Sequence, residues 1–161
     1  MRAIMATILV VDDNAVIARM LARFLESKGH RAVIAFSGPE ALLAAGALPA
    51  PDLILLDLCM PDMDGIEVLR RLKHQVFDAE KETSAPQDPT EPPNATHLNS
   101  SKEVASRSPQ APPVILFSAI DDPAVIAAAY RHGACDYWVK ASFKFDDLPR
   151  AIEHHLTNAH G

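Results

Sequence analysis

Five short runs rich in apolar residues, each followed by a segment with helical spacing, constrain this chain more than any other feature. The runs are Thr7-Ile8-Leu9-Val10-Val11, Ala32 to Phe36, Leu53-Ile54-Leu55-Leu56, Val114-Ile115-Leu116-Phe117 and Tyr137-Trp138-Val139-Lys140. A strand with one wet face alternates apolar and polar residues, whereas an unbroken apolar run fits a strand buried on both faces. After the first run, Asn14 can cap a helix in which Ile17, Leu21, Phe24 and Leu25 share a face, and Gly29 stands where its C-terminal cap belongs. Ser37-Gly38-Pro39-Glu40 opens a short helix through Ala45, with proline at an early helical position. A turn through Pro61, Asp64 and Gly65 leads into a helix carrying Ile66, Leu69 and Leu72. Asp122-Pro123 starts a fourth helix running to His132, and Asp146 to Leu156 forms the last, with Leu148, Ile152 and Leu156 on one face. Such alternation predicts the α/β class, a parallel sheet with helices on both faces. Right-handed crossovers then favour a doubly wound five-stranded sheet of flavodoxin-like order 2-1-3-4-5.

The length of 161 residues suits a single domain over 1–161, and a hydrophobic share of 48% is enough for its core. One segment breaks the pattern. Residues 75–113 hold seven of the 13 prolines, many Ser, Thr, Asn and Gln, and almost no apolar periodicity. Such a stretch cannot bury enough surface to offset its ordering entropy. It reads as a disordered insertion between the third helix and the fourth strand, with Gln75 to Phe77 available to extend the helix. The net charge of −6 argues against a nucleic-acid partner. No apolar run is long enough to span a bilayer, and the N-terminus is too short and weakly apolar for a secretory signal. Cys59 and Cys135 lack paired spacing, which argues against a disulfide framework or a zinc site. The expectation is a cytoplasmic protein with neither nucleic acid nor membrane as partner. Only Thr157 to Gly161 follow the last helix, so no helix-turn-helix region is expected.

Parallel α/β sheets bind ligands at the carboxyl ends of their strands. Those ends carry Asp12 and Asp13 after the first strand, Asp57 after the third, Ser118 after the fourth and Lys140 after the fifth. The first and third strands are neighbours in the expected order, so three carboxylates converge where the chain reverses direction. Carboxylates this close repel one another. Mg²⁺ suits such a site, because it binds through one or two carboxylates, keeps several waters and bridges to phosphate. Lys140 offers a compact positive charge to a phosphoryl oxygen, and Ser118 a hydroxyl donor. Phosphoryl transfer depends mostly on positioning and charge neutralisation, and these parts supply both. Each residue alone carries little: an aspartate after a strand is commonly a cap, and a single lysine is commonly solvated. Their joint placement at the ends of the correct strands is what points to chemistry.

The motifs Val10-Val11-Asp12-Asp13-Asn14, Leu55 to Gly65, Phe117-Ser118-Ala119 and Gly133 to Lys140 resemble the receiver domain of response regulators in two-component signalling. The resemblance implies Asp57 as phosphoacceptor, Asp13 as a direct Mg²⁺ ligand, Asp12 holding metal-bound water, and the backbone carbonyl of Cys59 completing the ligand set. It implies Ser118 as the hydroxyl that moves to the phosphoryl group, Tyr137 as the aromatic switch that turns inward with it, and Lys140 as the phosphoryl-contacting lysine. It further implies a phosphohistidine donor on a histidine kinase or phosphotransfer protein, an unidentified protein target, and readout through the fourth helix, fifth strand and fifth helix. Such a protein catalyses only its own phosphorylation and dephosphorylation, as a monomer or a phosphorylation-dependent dimer. Ala141 stands where the family commonly has proline. Cys59 and Ile120 occupy positions where polar side chains speed phosphate loss in the family, so a long-lived phosphoryl group is expected. The alternative is a degenerate receiver acting as a phosphorylation-independent interaction module, against which the intact site set argues. A phosphatase of the haloacid-dehalogenase type would need a second aspartate where Cys59 stands. Trp138 should point away from Tyr137 and pack, and His154 and His155 should complement the helix dipole or be solvated.

Overall fold

The computed structural model describes residues 5–47, 49–82 and 111–159. Five strands, β1 (Thr7–Val11), β2 (Arg31–Ala35), β3 (Leu53–Leu56), β4 (Val114–Ser118) and β5 (Asp136–Val139), alternate with α1 (Ala15–Ser27), α2 (Gly38–Ala45), α3 (Gly65–Glu82), α4 (Pro123–Arg131) and α5 (Leu148–Ala159). All strand pairs are parallel, and the sheet order is β2-β1-β3-β4-β5. This is the doubly wound α/β architecture expected from the alternation of segments.

The apolar runs fall where a sheet covered on both faces needs them. Every residue of β3 and β4 is buried. Because side chains alternate along a strand, one set points to each face. Leu9, Val11, Ile54, Leu56, Leu116 and Tyr137 pack with Val68, Leu69 and Leu72 of α3 and Ala129 of α4. Ile8, Val10, Leu55, Ile115, Phe117 and Trp138 pack with Leu21 and Leu25 of α1 and Ile152 and Leu156 of α5. Tyr137 and Trp138 therefore face opposite cores, as strand alternation requires.

Local chemistry sets the helix ends. Asn14 Oδ1 accepts from the amides of Val16 and Ile17 at 3.0 and 3.3 Å, a cap worth about 1 kcal/mol. Asp122 caps α4 through the amides of Ala124 and Val125. Gly29 and Gly133, at φ 90° and 95°, end α1 and α4 in the left-handed conformation that glycine adopts without strain.

Several boundaries differ from the sequence expectation: β2 runs Arg31–Ala35 rather than Ala32 to Phe36, and α4 ends at Arg131, one residue early. The helix α3 continues past Phe77 to Glu82. A 3₁₀ turn, Phe145–Asp147, precedes α5, which begins only at Leu148. Strand β5 starts at Asp136 and stops at Val139, so Lys140 lies just beyond the ladder. The expected insertion over 75–113 is helical through residue 82, and its stretch 83–110 lies outside the described residues.

Candidate functional site

The sheet delivers each site residue through its register. Val11 pairs with Leu56, so the residues that follow these strands, Asp12 and Asp57, emerge side by side. Asp57 N–H donates to the Val11 carbonyl at 2.8 Å, and Asp12 N–H to the Ala35 carbonyl at 3.2 Å, which fixes both backbones. On the other side of β3, Leu56 pairs with Leu116, and β4 ends two residues later at Ser118. Lys140 N–H donates to the Ser118 carbonyl at 2.7 Å, which starts the lysine side chain from the same rim.

At this rim Asp12, Asp13 and Asp57 each offer one carboxylate oxygen, and these oxygens all lie within 4.8 Å of one another. Asp12 and Asp57 are buried and Asp13 is exposed, so the cluster is reached by solvent at Asp13. Asp12 Oδ1 accepts from the Asn14 amide at 2.9 Å, which ties this carboxylate to the cap of α1. Lys140 Nζ reaches Asp12 Oδ2 at 2.7 Å and Asp57 Oδ2 at 3.4 Å, and lies 5.6 Å from the Phe117 ring centroid. The lysine thus neutralises part of an acidic cluster that would otherwise repel itself. Burial pushes the Asp57 carboxyl above its ordinary value; Lys140 pulls it back, Asp12 adds to the rise, and the Cys59 amide, 3.4 Å from Oδ1, opposes it. Three hard oxygen donors at this spacing, with solvent access at Asp13, fit a hexacoordinate cation such as Mg²⁺.

Ser118 is fully buried at 0% exposure, and its Oγ accepts from the Ile120 amide at 3.2 Å. The Tyr137 ring is buried, and its hydroxyl donates to the Ile120 carbonyl at 2.8 Å. Both polar groups of Ile120 thereby bind side chains singled out from sequence. Burial pushes the Tyr137 phenol above its ordinary value. The two cysteines are free. The structure thus brings Asp12, Asp13, Asp57 and Lys140 into one cluster, with Ser118 and Tyr137 on the adjoining β4 and β5.

His155 departs from expectation. Its Nε2 lies 2.9 Å from Asp136 Oδ2, and its side chain is 15% exposed, so it is neither solvated nor placed as a dipole complement alone. Asp136 also accepts from the Tyr130 hydroxyl through Oδ1, and neither residue stands out in the sequence. The only sequence signal was an aspartate at the start of an edge strand.

A doubly wound sheet with an acidic cluster and a lysine at its switch point defines a class: ligand-responsive α/β domains whose site lies at the strand carboxyl ends. Comparison narrows the class. The family model of the response regulator receiver domain matches residues 8–80. The receiver domain of a Francisella response regulator, 1452, superimposes with a TM-score of 0.69 at 25% identity, over 96% of this chain and 98% of that one. The DNA-binding response regulator MtrA of Mycobacterium tuberculosis is 47% identical over 66 residues, 41% of this chain and 28% of the relative. The transcriptional regulatory protein PhoP of Bacillus subtilis, named for alkaline phosphatase synthesis, is 46% identical over 68 residues, 42% of this chain and 28% of the relative. Residues 8–80 match the response regulator receiver domain by sequence, and the described residues have the fold of that domain, a phosphorylation-regulated signalling module in two-component systems.

The aligned segment spans under a third of the length of these curated relatives. Their names correct one expectation. The exclusion of nucleic acid falls, because relatives that carry a like segment are DNA-binding and transcriptional regulators. The net charge of −6 describes this chain alone and has no bearing on what a regulator containing such a segment contacts. Among the described residues, no helix is long and apolar enough to cross a membrane.

Proposed function

We propose that the chain is a phosphorylation switch in which Asp57 accepts a phosphoryl group from a phosphohistidine on a histidine kinase or phosphotransfer protein. The observation that carries this reading is the convergence of three carboxylates and Lys140 on one rim of the sheet. Asp12, Asp13, Asp57 and the Cys59 carbonyl would hold Mg²⁺. The ion supplies charge neutralisation for the incoming phosphoryl oxygens.

An Asp57 carboxylate oxygen forms the new P–O bond as the donor P–N bond breaks and its electron pair returns to the imidazole. Lys140 Nζ already lies 3.4 Å from Asp57 Oδ2, close enough to contact a phosphoryl oxygen formed there. Ser118, at the end of the adjacent strand, donates its hydroxyl to another phosphoryl oxygen. That movement draws on the Ile120 amide, to which Ser118 Oγ is bonded, and Ile120 is also the anchor of Tyr137. The readout face is α4, β5 and α5, through which a downstream protein target or a second copy of the chain would bind. Catalysis extends only to the chain's own phosphorylation and dephosphorylation. Residues 1–161 form one receiver unit in this reading, with the proline-dense stretch between α3 and β4 as an insertion.

A phosphate-affinity gel with Mg²⁺ and acetyl phosphate tests the assignment. Wild type should shift, and Asp57→Asn should not. A retained shift in the variant reassigns the acceptor. A wild type that never shifts favours a module that binds partners without phosphorylation.

A further inference from the structure

Strand β5 is an edge of the sheet, with α4 packed on one face and α5 on the other. A carboxylate at the start of that edge strand collects donors from all three elements. Asp136 Oδ1 accepts from the Tyr137 amide at 2.8 Å and from the Tyr130 hydroxyl of α4 at 3.2 Å. Asp136 Oδ2 lies 2.9 Å from Trp138 Nε1 and 2.9 Å from His155 Nε2 of α5. A carboxylate has about four acceptor sites, so this one is saturated. The imidazole must carry hydrogen on Nε2 to bond a carboxylate, whichever state its other nitrogen is in. Burial pushes the Asp136 carboxyl up, but the bonds from His155, Trp138, the Tyr137 amide and Tyr130 outweigh it and hold the group below its ordinary value. The charged form is therefore the one this cluster is built around.

The element at stake is α4. Of its nine residues only Ala129 is fully buried, and Tyr130 is 47% exposed. Val125 and Ile126 add partly buried contacts with the core, but a helix with a single fully buried residue is among the cheaper parts of the fold to displace. Two tyrosine hydroxyls hold it, one at each end. Tyr137 pins the loop before it through the Ile120 carbonyl, and Tyr130 pins its last turn through Asp136.

We propose that Tyr130, Asp136 and His155 form a latch across the open edge of the sheet, tying α4 to α5 and limiting how far a phosphoryl group at Asp57 can move that face. The restraint itself stands on the geometry of the edge. Its regulatory consequence rests on the phospho-switch reading above.

Hydrogen–deuterium exchange on the full chain, with and without Mg²⁺ and acetyl phosphate, tests the latch. In unphosphorylated Tyr130→Phe, which loses only the hydroxyl, amides of α4 should exchange about two- to tenfold faster, the effect of one lost hydrogen bond. Amides of β1 and β3 should stay at wild-type rates. His155→Leu should act in the same direction, His155→Gln should restore protection through its amide donor, and Tyr130→Phe combined with His155→Leu should fall short of the summed effects. Unchanged α4 exchange in Tyr130→Phe, or faster exchange spread over the whole chain, overturns the latch. On phosphorylation, α4 should change more in Tyr130→Phe than in wild type; an equal change overturns the regulatory part. A phosphate-affinity gel on the same samples keeps the two readings apart. If wild type takes up no phosphoryl group, the switch and the coupling both fall, while the unphosphorylated arm still decides the restraint.

Discussion

Ile120 sits where two side-chain roles meet. Its amide donates to Ser118, its carbonyl accepts from Tyr137, and its apolar side chain packs against the core beneath α4. An apolar group two residues beyond Ser118 offers no hydrogen bond to a water approaching Asp57. The thiol of Cys59, which is exposed, is only a weak partner for one. We expect a slow loss of phosphoryl from wild type, and Ile120→Asn should shorten its half-life several-fold, followed by gel after removal of the donor. Equal decay of the two proteins would remove the link between this side chain and lifetime. His30 presents a separate case. It is 8% exposed, and its Nδ1 has no hydrogen-bond partner. Burial holds its pKa below the ordinary 6.5, against a smaller opposing pull from Glu153. A folded value below the unfolded one means that the unfolded chain takes up the proton first. The stability this gives is full above the unfolded value and is lost as pH falls through the window beneath it. His30→Leu should therefore lose less stability than wild type between pH 7.5 and 5.5, read as denaturation midpoints at about those values. A parallel loss in both proteins refutes the assignment. Both arguments depend on contacts that sequence could not display. The acidic rim was legible because strand ends are legible, but the closer pairing of Lys140 with Asp12 than with Asp57 depends on side-chain reach. His155 was misread because its partner Asp136 lies on a different element, 19 residues away.

At the scale of elements, legibility followed apolar content. Strands β1 and β3 coincide with their apolar runs because burial on both faces leaves no other pattern available. The end of α3 was less visible. Past Leu72 the helix has few apolar residues to mark a face, and proline-dense sequence follows. Asp78-Ala79-Glu80-Lys81-Glu82 nevertheless continues the helix, because Ala, Glu and Lys have high intrinsic helix propensity. The start of α3 bears directly on the site. Gly65 N–H donates to the Leu58 carbonyl at 3.0 Å, which folds the connection from β3 tightly against Asp57. A Cβ at Gly65 would stand 2.5 Å from the Asp57 carbonyl oxygen and 2.7 Å from Leu58 Cα, both backbone atoms with little room to yield. Gly65→Ala should therefore cost about 1–3 kcal/mol in stability. It should also cut the rate of phosphoryl uptake by about tenfold or more, since a displacement near 1 Å can cost on the order of 100-fold. Circular dichroism and the affinity gel on the same preparation separate the two effects. Normal uptake in a folded variant would show that the turn is free to move without disturbing Asp57.

For the whole molecule, the two cores on either side of the sheet provide the stability, and the carboxyl rim draws on it. Three carboxylates face one lysine there, and two of the three are buried. A divalent cation that binds only the folded arrangement returns free energy according to its concentration relative to its dissociation constant. At ten times that constant the gain is about 1.4 kcal/mol. For a chain of this size that corresponds to a rise in Tm of about 3–5 °C. Thermal melts with and without Mg²⁺ should show this rise in wild type and its reversal by a chelator. Asp13→Asn should abolish the rise while leaving the melt in chelator close to wild type, because Asp13 is exposed and its charge is well solvated. Asp57→Asn should melt higher than wild type in chelator, because it removes a carboxylate that burial already disfavours in the charged form. It should gain little from Mg²⁺. This ordering separates a cation site from general electrostatic screening, since Na⁺ at equal ionic strength would reproduce screening in all three proteins and would leave the Mg²⁺-specific rise unexplained. If all three melts rise equally with Mg²⁺, the rim is an acidic surface that happens to be clustered, and the phosphoryl chemistry assigned to Asp57 loses its electrostatic support.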